Sequence, residues 1–144
     1  MNKIRRLSRK DLQDIKELDV RFKSPWSSQL YTERISTYPD LSYGAYEGSR
    51  LIGFIVAKIT PENSVYISRI VVDKDHEGKG IAKKLMKTVE KNTQHQKFES
   101  EVRASNVRSI GLHKSLNYKN DDTFFYKYRD GERGLKFFKN LYVR

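Results

Sequence analysis

Between residues 65 and 89 the spacing of apolar side chains changes its period part-way along. Residues 65–72, VYISRIVV, read as a strand rich in β-branched side chains. Residues 73–80 are polar and contain Gly78 and Gly80. Ile81, Leu85, Met86 and Val89 then recur at helical spacing. A helix therefore begins just beyond the end of a strand, with glycines at the join. The first N–H groups of a helix have no partner inside it. Glycines let a ligand approach the backbone closely, and the helix dipole adds partial positive charge at that end. Lys79, Lys83 and Lys84 add formal charge. The segment is a cradle of pyrophosphate size, although the same residues also suit a basic surface loop. It is not a P-loop, because no G-x-x-x-x-G-K-[ST] string occurs. It is not a dinucleotide fingerprint either, because Lys83 stands where the third glycine belongs.

The flanking chain sets the fold class. Residues 3–7 suit a short strand. Ser8 and Asp11 have capping-box spacing, and Leu12, Ile15, Leu18 and Phe22 follow as one helical face. Ser24, Pro25, Trp26 and Ser27 break that helix, and a second runs from about 28 to 37, closed before Pro39. Residues 41–46 and 51–60, joined at Glu47-Gly48-Ser49-Arg50, read as a hairpin. Residues 97–103 alternate like a strand, and 106–116 form a helix capped by Ser105 or Asn106. Residues 122–128 and 135–142 read as a last hairpin. The order β-α-α-β-β-β-α-β-α-β-β predicts an α/β (α+β) fold. It implies a mixed, mostly antiparallel sheet of about 6–7 strands with helices on both faces.

Composition narrows the partners. The 144 residues contain no repeat or linker and predict one domain, 1–144. Nine Tyr and seven Phe argue for a packed interior. Twenty-nine Lys and Arg against 18 Asp and Glu give a net charge of +11, a field that favours anionic partners. The absence of cysteine excludes disulfides, a thiolate metal site and a Cys nucleophile. His76 and His95 lack neighbours at metal-ligand spacing, so no metal is expected. No apolar run approaches the roughly 20 residues of a membrane span, and residues 1–10 are basic without the apolar core of a signal peptide. A cytoplasmic protein without membrane attachment is expected. A basic nucleic-acid-binding module is the other class this charge suggests. No zinc spacing or RNP-like aromatic motif supports it, and the lysines are spread over several elements.

The glycine loop resembles the acyl-CoA motif of the GNAT acetyltransferase superfamily, Gln/Arg-x-x-Gly-x-Gly/Ala. Gly80 and Ala82 fall on the motif, Gly78, Ile81 and Leu85 on common neighbours, and Glu77 replaces the usual Gln or Arg. A second stretch matches the superfamily pattern Asn-x-x-Ala/Ser-Ile-x-Leu-Tyr-x-x-Leu-Gly-Phe at Asn106, Ser109, Ile110, Leu112 and Leu116. His113 stands in place of its Tyr, and Asn117-Tyr118 in place of its Gly-Phe. The string EVRASN at 101–106, the Pro25-Trp26-Ser27 loop, and Tyr128 followed by Asp130-Gly131 are similar to the ribosomal-protein N-alpha-acetyltransferases, which acetylate a protein's N-terminal amine. The Ser-Ile-x-Leu-His variant also resembles amino-acid N-acetyltransferases of the phosphinothricin type.

These resemblances imply an acetyl-CoA-dependent N-acetyltransferase acting by direct transfer, with a splayed cofactor cleft. Acetyl-CoA would be held by backbone groups of Ile70, Val71 and Val72, by Gly78, Lys79, Gly80, Ile81, Ala82 and Lys83, and with help from Asn106. Glu101 would take the amine's proton, with Glu99 on the same strand face as its rival. His113 would protonate the leaving thiolate, with Tyr118, Tyr126 and Tyr128 as rival donors. Trp26 and Tyr128 would line the acceptor side. The implied acceptor is a protein or peptide N-terminal amine, a ribosomal protein among them. The alternative is a small-molecule amine or an amino acid. A chain that binds CoA without turnover also fits the departures at Glu77, His113 and Asn117.

Overall fold

The computed structural model describes residues 2–20 and 25–141. In chain order the elements are β1 (Lys3–Arg6), α1 (Leu12–Asp19), α2 (Ser28–Thr37), β2 (Ser42–Glu47), β3 (Arg50–Ile59), β4 (Val65–Val72), α3 (Ile81–Asn92), β5 (Lys97–Arg103), α4 (Val107–Ser115), β6 (Lys119–Lys127) and β7 (Arg133–Asn140). Seven strands form a mixed sheet in the order β1-β2-β3-β4-β5-β7-β6. The β1–β2, β2–β3, β5–β7 and β6–β7 pairs are antiparallel, and β4–β5 is parallel. The predicted class and element order hold. Two units separate by their internal contacts, Met1–Lys58 with Ser68–Gln94 and Ile59–Ile67 with His95–Arg144. Among the described residues no helix is long and apolar enough to cross a membrane.

In the first unit the expected cap forms: the Ser8 N–H donates to Asp11 Oδ2 at 2.8 Å. The buried Asp11 carboxylate also accepts from the Tyr46 hydroxyl at 2.8 Å and from Arg5. Burial alone would raise its pKa, but these donors outweigh it and hold the group below the ordinary value. A short 3-10 turn separates this cap from α1. Ile15, Tyr31, Ile35, Phe54, Val56 and Val71 pack as one apolar cluster. The stripe Ile81, Leu85, Met86 and Val89 of α3 is buried, as its spacing predicts. Gly53 is needed where it stands, because a Cβ there would lie 3.0 Å from the Val71 carbonyl oxygen. Phe22 lies outside the described residues.

In the second unit β5 alternates as predicted, with Phe98, Ser100 and Val102 buried and Glu101 exposed. The last hairpin differs from expectation at its edges. β6 begins at Lys119, because Lys119 and Asn120 pair through their backbones with Phe138 and Phe137. Their polar side chains gave no sign of a strand. Phe137 is fully buried, while Phe138 remains 40% exposed. The side chains of Phe124, Phe125 and Tyr126 lie outside the described residues.

Candidate active site

The glycine loop of the first unit is built from its anchors outward. The Asp73 N–H donates to the Ile52 carbonyl at 2.8 Å, which ends β4. His76, 8% exposed, contacts Asp73 Oδ2 at 2.8 Å through Nδ1 and Glu47 Oε2 at 3.3 Å through Nε2. Arg50 reaches the same Asp73 oxygen at 3.4 Å. The base of the loop is thus tied to the β2–β3 turn, a role for His76 that no metal or catalytic pattern in the sequence signalled. Beyond this anchor Gly78 and Gly80 adopt φ of 79° and 81°, in the left-handed region that favours glycine. A Cβ built on either would meet nothing within 4 Å, so the space above the loop is open.

Gly80 caps α3, whose first turn contains no acidic side chain. Ile81 is 2% exposed, so its side chain belongs to the core and only its backbone can serve a ligand. Ala82 and Lys83 are half-buried, and Lys79 and Lys84 are exposed. Open glycines, uncapped amides at a helix start and three lysines fit a chain of phosphates. Ile70 and Val72 are half-buried and Val71 is 2% exposed, all on the end of β4 that leads into this loop.

The second unit carries the ionisable groups. Glu101 is exposed on β5 opposite Lys136 of β7. Burial first, then the Glu101 charge, push the Tyr66 phenol well above its ordinary pKa. At neutral pH it stays protonated, a neutral phenol beside the Glu101 charge. Sequence reading missed Tyr66, since only the pairing of β4 with β5 brings it to this strand face. Glu99 faces Lys136 at 4.0 Å instead. A cavity of about 290 Å³, lined in part by Glu99, Lys136 and Phe138, opens beside this strand face.

His113 lies inside the same unit at 2% exposure. Its Nδ1 is 2.7 Å from the Ser109 carbonyl and its Nε2 is 2.9 Å from Ser100 Oγ. A carbonyl only accepts, so Nδ1 carries the proton and Nε2 accepts from the serine. Burial lowers the His113 pKa, and the ring is neutral at pH 7. It packs 5.3 Å from the Tyr118 ring and 5.1 Å from that of Phe137. Asn106, expected beside the cofactor, uses its side-chain oxygen to cap α4 through the Ser109 N–H at 3.1 Å. Tyr128 is half-buried, with the Arg103 guanidinium 4.0 Å above its ring. Arg103 also bridges Asp130 and Glu132, each at 2.8 Å. Glu132 in turn accepts the Ser105 N–H at 3.0 Å. These bonds join the β6–β7 turn to the start of α4. Trp26, in the first unit, packs on the apolar cluster with its ring 5.1 Å from Tyr31.

The family model for the acetyltransferase (GNAT) family matches residues 11–118. The chain belongs to the GNAT acetyltransferases. It is an acetyl-CoA-dependent acyltransferase, and acetyl-CoA is its donor. An uncharacterised N-acetyltransferase of Methanocaldococcus jannaschii is 31% identical over 141 residues, covering 94% of this chain and 90% of that one. N-alpha-acetyltransferase 30 of Schizosaccharomyces pombe is 24% identical over 120 residues, 78% of this chain and 80% of that protein. The fold is shared with the NatC complex bound to Gag peptide and CoA, at TM-score 0.88 and 22% identity over 97% and 98% of the two chains. It is shared with the ribosomal-protein-S18-alanine N-acetyltransferase of Escherichia coli, at TM-score 0.79 and 22% identity over 98% and 94%. It is also shared with a diaminobutyrate acetyltransferase of Paenibacillus lautus in complex with its substrate and CoA, at 0.81 and 18% identity over 100% and 98%.

Proposed function

We propose that this GNAT acetyltransferase, working as a single domain over residues 1–144, acetylates the α-amine of protein or peptide N-termini. The observation that carries this reading is the exposed Glu101 carboxylate beside the half-buried, protonated Tyr66 phenol. Its similarity to N-alpha-acetyltransferase 30 points to the same class of acceptor.

In this scheme acetyl-CoA supplies a thioester carbonyl open to attack. The loop from Gly78 to Lys83 receives the phosphates through its amides and lysines. Residues 70–72 lend backbone groups to the pantetheine arm as an added strand would, and one of their N–H groups polarises the carbonyl. Asn106 assists from the start of α4. The amine nitrogen forms the new bond to carbon as the carbon–sulfur bond breaks, and Glu101 takes the proton that the nitrogen loses. An α-amine, with a pKa of about 7.7–8.0, is already partly neutral near pH 7, so one carboxylate suffices.

We assign the proton for the departing sulfur to Tyr128. His113 is buried, neutral and committed at both nitrogens, and Tyr118 is 4% exposed. The position of His113 also weakens the reading it had favoured, a small amine or an amino acid, since its ring is used for packing. The +11 charge suits an acidic peptide or a ribosomal surface in the cytoplasm.

The deciding experiment follows thiol release from acetyl-CoA with matched acceptors: free amino acids, amides and peptides of increasing length, some blocked at the α-amine and some at lysine. Turnover should rise with peptide length and vanish on α-amine blocking. Turnover of free amino acids that does not improve on extension would reject the proposal.

A further inference from the structure

Asp19 is the last residue of α1, an unfavourable place for a carboxylate. The C-terminal end of a helix carries partial negative charge, and a buried carboxylate loses its hydration. Asp19 is nonetheless 0% exposed. Both of its oxygens are committed inside the first unit. Oδ1 accepts from the Arg69 guanidinium at 2.6 Å, and Oδ2 accepts from the Trp26 backbone N–H at 2.7 Å.

The same tryptophan is held at three further points. Lys16 donates its ammonium to the Trp26 carbonyl. The Arg69 guanidinium carbon lies 4.8 Å from the centre of the indole ring, and that of Arg34 lies 5.5 Å from it. The Arg34 and Arg69 side chains are only 11% and 15% exposed, and Arg34 is steadied by Ser68 at 3.5 Å. Burying a tryptophan against an apolar cluster requires none of this. A buried ion pair contributes little net stability, so its consequence here is orientation. Main chain and ring of Trp26 are both fixed, and the Asp19–Arg69 pair joins residues fifty positions apart to do it.

We infer that Asp19 and Arg69 are positioning residues for the acceptor, acting through Trp26, which they hold as a rigid wall of the acceptor entrance. This rests on the reading above that Trp26 meets the acceptor. The contacts through which the pair holds Trp26 lie on Trp26 itself, so its loss should act on acceptor binding and spare the cofactor.

The chain contains one tryptophan, so its emission reports this ring alone. Asp19→Asn, Arg69→Met and Arg69→Lys are compared with the unmodified enzyme in emission wavelength, acrylamide quenching and the two KM values. The first two should redden and expose the tryptophan and raise the acceptor KM about tenfold or more. The KM for acetyl-CoA should stay within about twofold. Arg69→Lys, which keeps the charge, should recover part of both effects. Should the single variants fail to fold, the double variant Asp19→Leu with Arg69→Met replaces the pair by apolar groups, a change that buried pairs commonly tolerate. It should melt near the parent and still raise the acceptor KM.

A reddened tryptophan with an unchanged acceptor KM overturns the inference. So does a parallel rise of both KM values, and so does unaltered emission. KM is measured with whichever amine the unmodified enzyme turns over fastest. A preference for free amino acids would defeat the peptide reading while leaving the positioning role to be judged on its own result.

Discussion

Replacing His113 by glutamine tests what a buried imidazole does in this fold. The ring is 2% exposed and is held by Ser109 and the Ser100 hydroxyl, neither of which carries a charge. Its pKa is lowered by burial, so the folded chain binds fewer protons at this site than the unfolded chain does below about pH 6.5. The sign follows directly. The stability contributed by the neutral ring is complete above the unfolded value and is lost as pH falls toward the folded one. From pH 7.5 to 5.5 one such site removes at most about 1.4 kcal/mol. In a chain of this length that lowers the melting temperature by no more than about 5 °C.

His113→Gln should lose about 1–3 kcal/mol at pH 7.5, from the shrunken packing against Phe137 and the disturbed bond to Ser100. Its melting temperature should then fall less with acid than that of the parent. The difference between the two curves, measured by calorimetry at half-unit pH steps, isolates His113 from His76 and His95. Identical pH dependence in parent and variant would refute the reasoning, as would a His113 ring signal titrating at or above 6.5 by NMR. If the folded variant loses more than about a hundredfold in kcat, the acid role returns to His113.

Four other outcomes are open to measurement. Glu101→Gln should lower kcat about a hundredfold or more, most steeply at low pH where neutral amine is scarce, as read from a pH–rate profile. Tyr128→Phe should slow thiol release at unchanged acetyl-CoA affinity, checked by rapid-mixing kinetics beside calorimetric titration. Gly80→Val forces a β-branched side chain into a left-handed site at about 1–2 kcal/mol, and it fills the open space above the loop; acetyl-CoA affinity by calorimetric titration should drop at least tenfold. For an acidic peptide, kcat/KM should fall steadily as salt rises from about 0.05 to 0.5 M, while a neutral amide of the first residue should respond little.

Features fixed within a few residues were legible in the sequence. The change of period from β4 to α3, the glycines between them, and the Ser8–Asp11 and Asn106–Ser109 caps all depend on neighbours along the chain. Asn106 marks where that legibility divides, because one side-chain oxygen had two readings and the local one, the cap, is the one the fold displays. The strand start at Lys119 was hidden because backbone pairing with Phe138 needs nothing from a polar side chain. His113 could be placed on a helix, but its burial depends on Ser100, thirteen residues earlier on another element. The Asp19–Arg69 pair is more distant still, and neither residue stood in any motif.

The choice between Glu99 and Glu101 follows the same physics. Strand alternation puts both on one face and cannot rank them. Register puts Tyr66 directly opposite Glu99, yet the Glu101 charge, one pleat repeat farther along, acts more strongly on its phenol than that of Glu99. A phenol is long enough to reach that diagonal neighbour. Glu99 faces Lys136 instead, at the 4.0 Å limit of an ion pair. Glu99 is half-buried and has that cation beside it, while Glu101 is exposed on the same strand face. Of two acids equivalent in sequence, Glu101 is therefore the more accessible to an incoming amine. Tyr66→Phe should lower the activity of the parent and add little to the loss already present in Glu101→Gln.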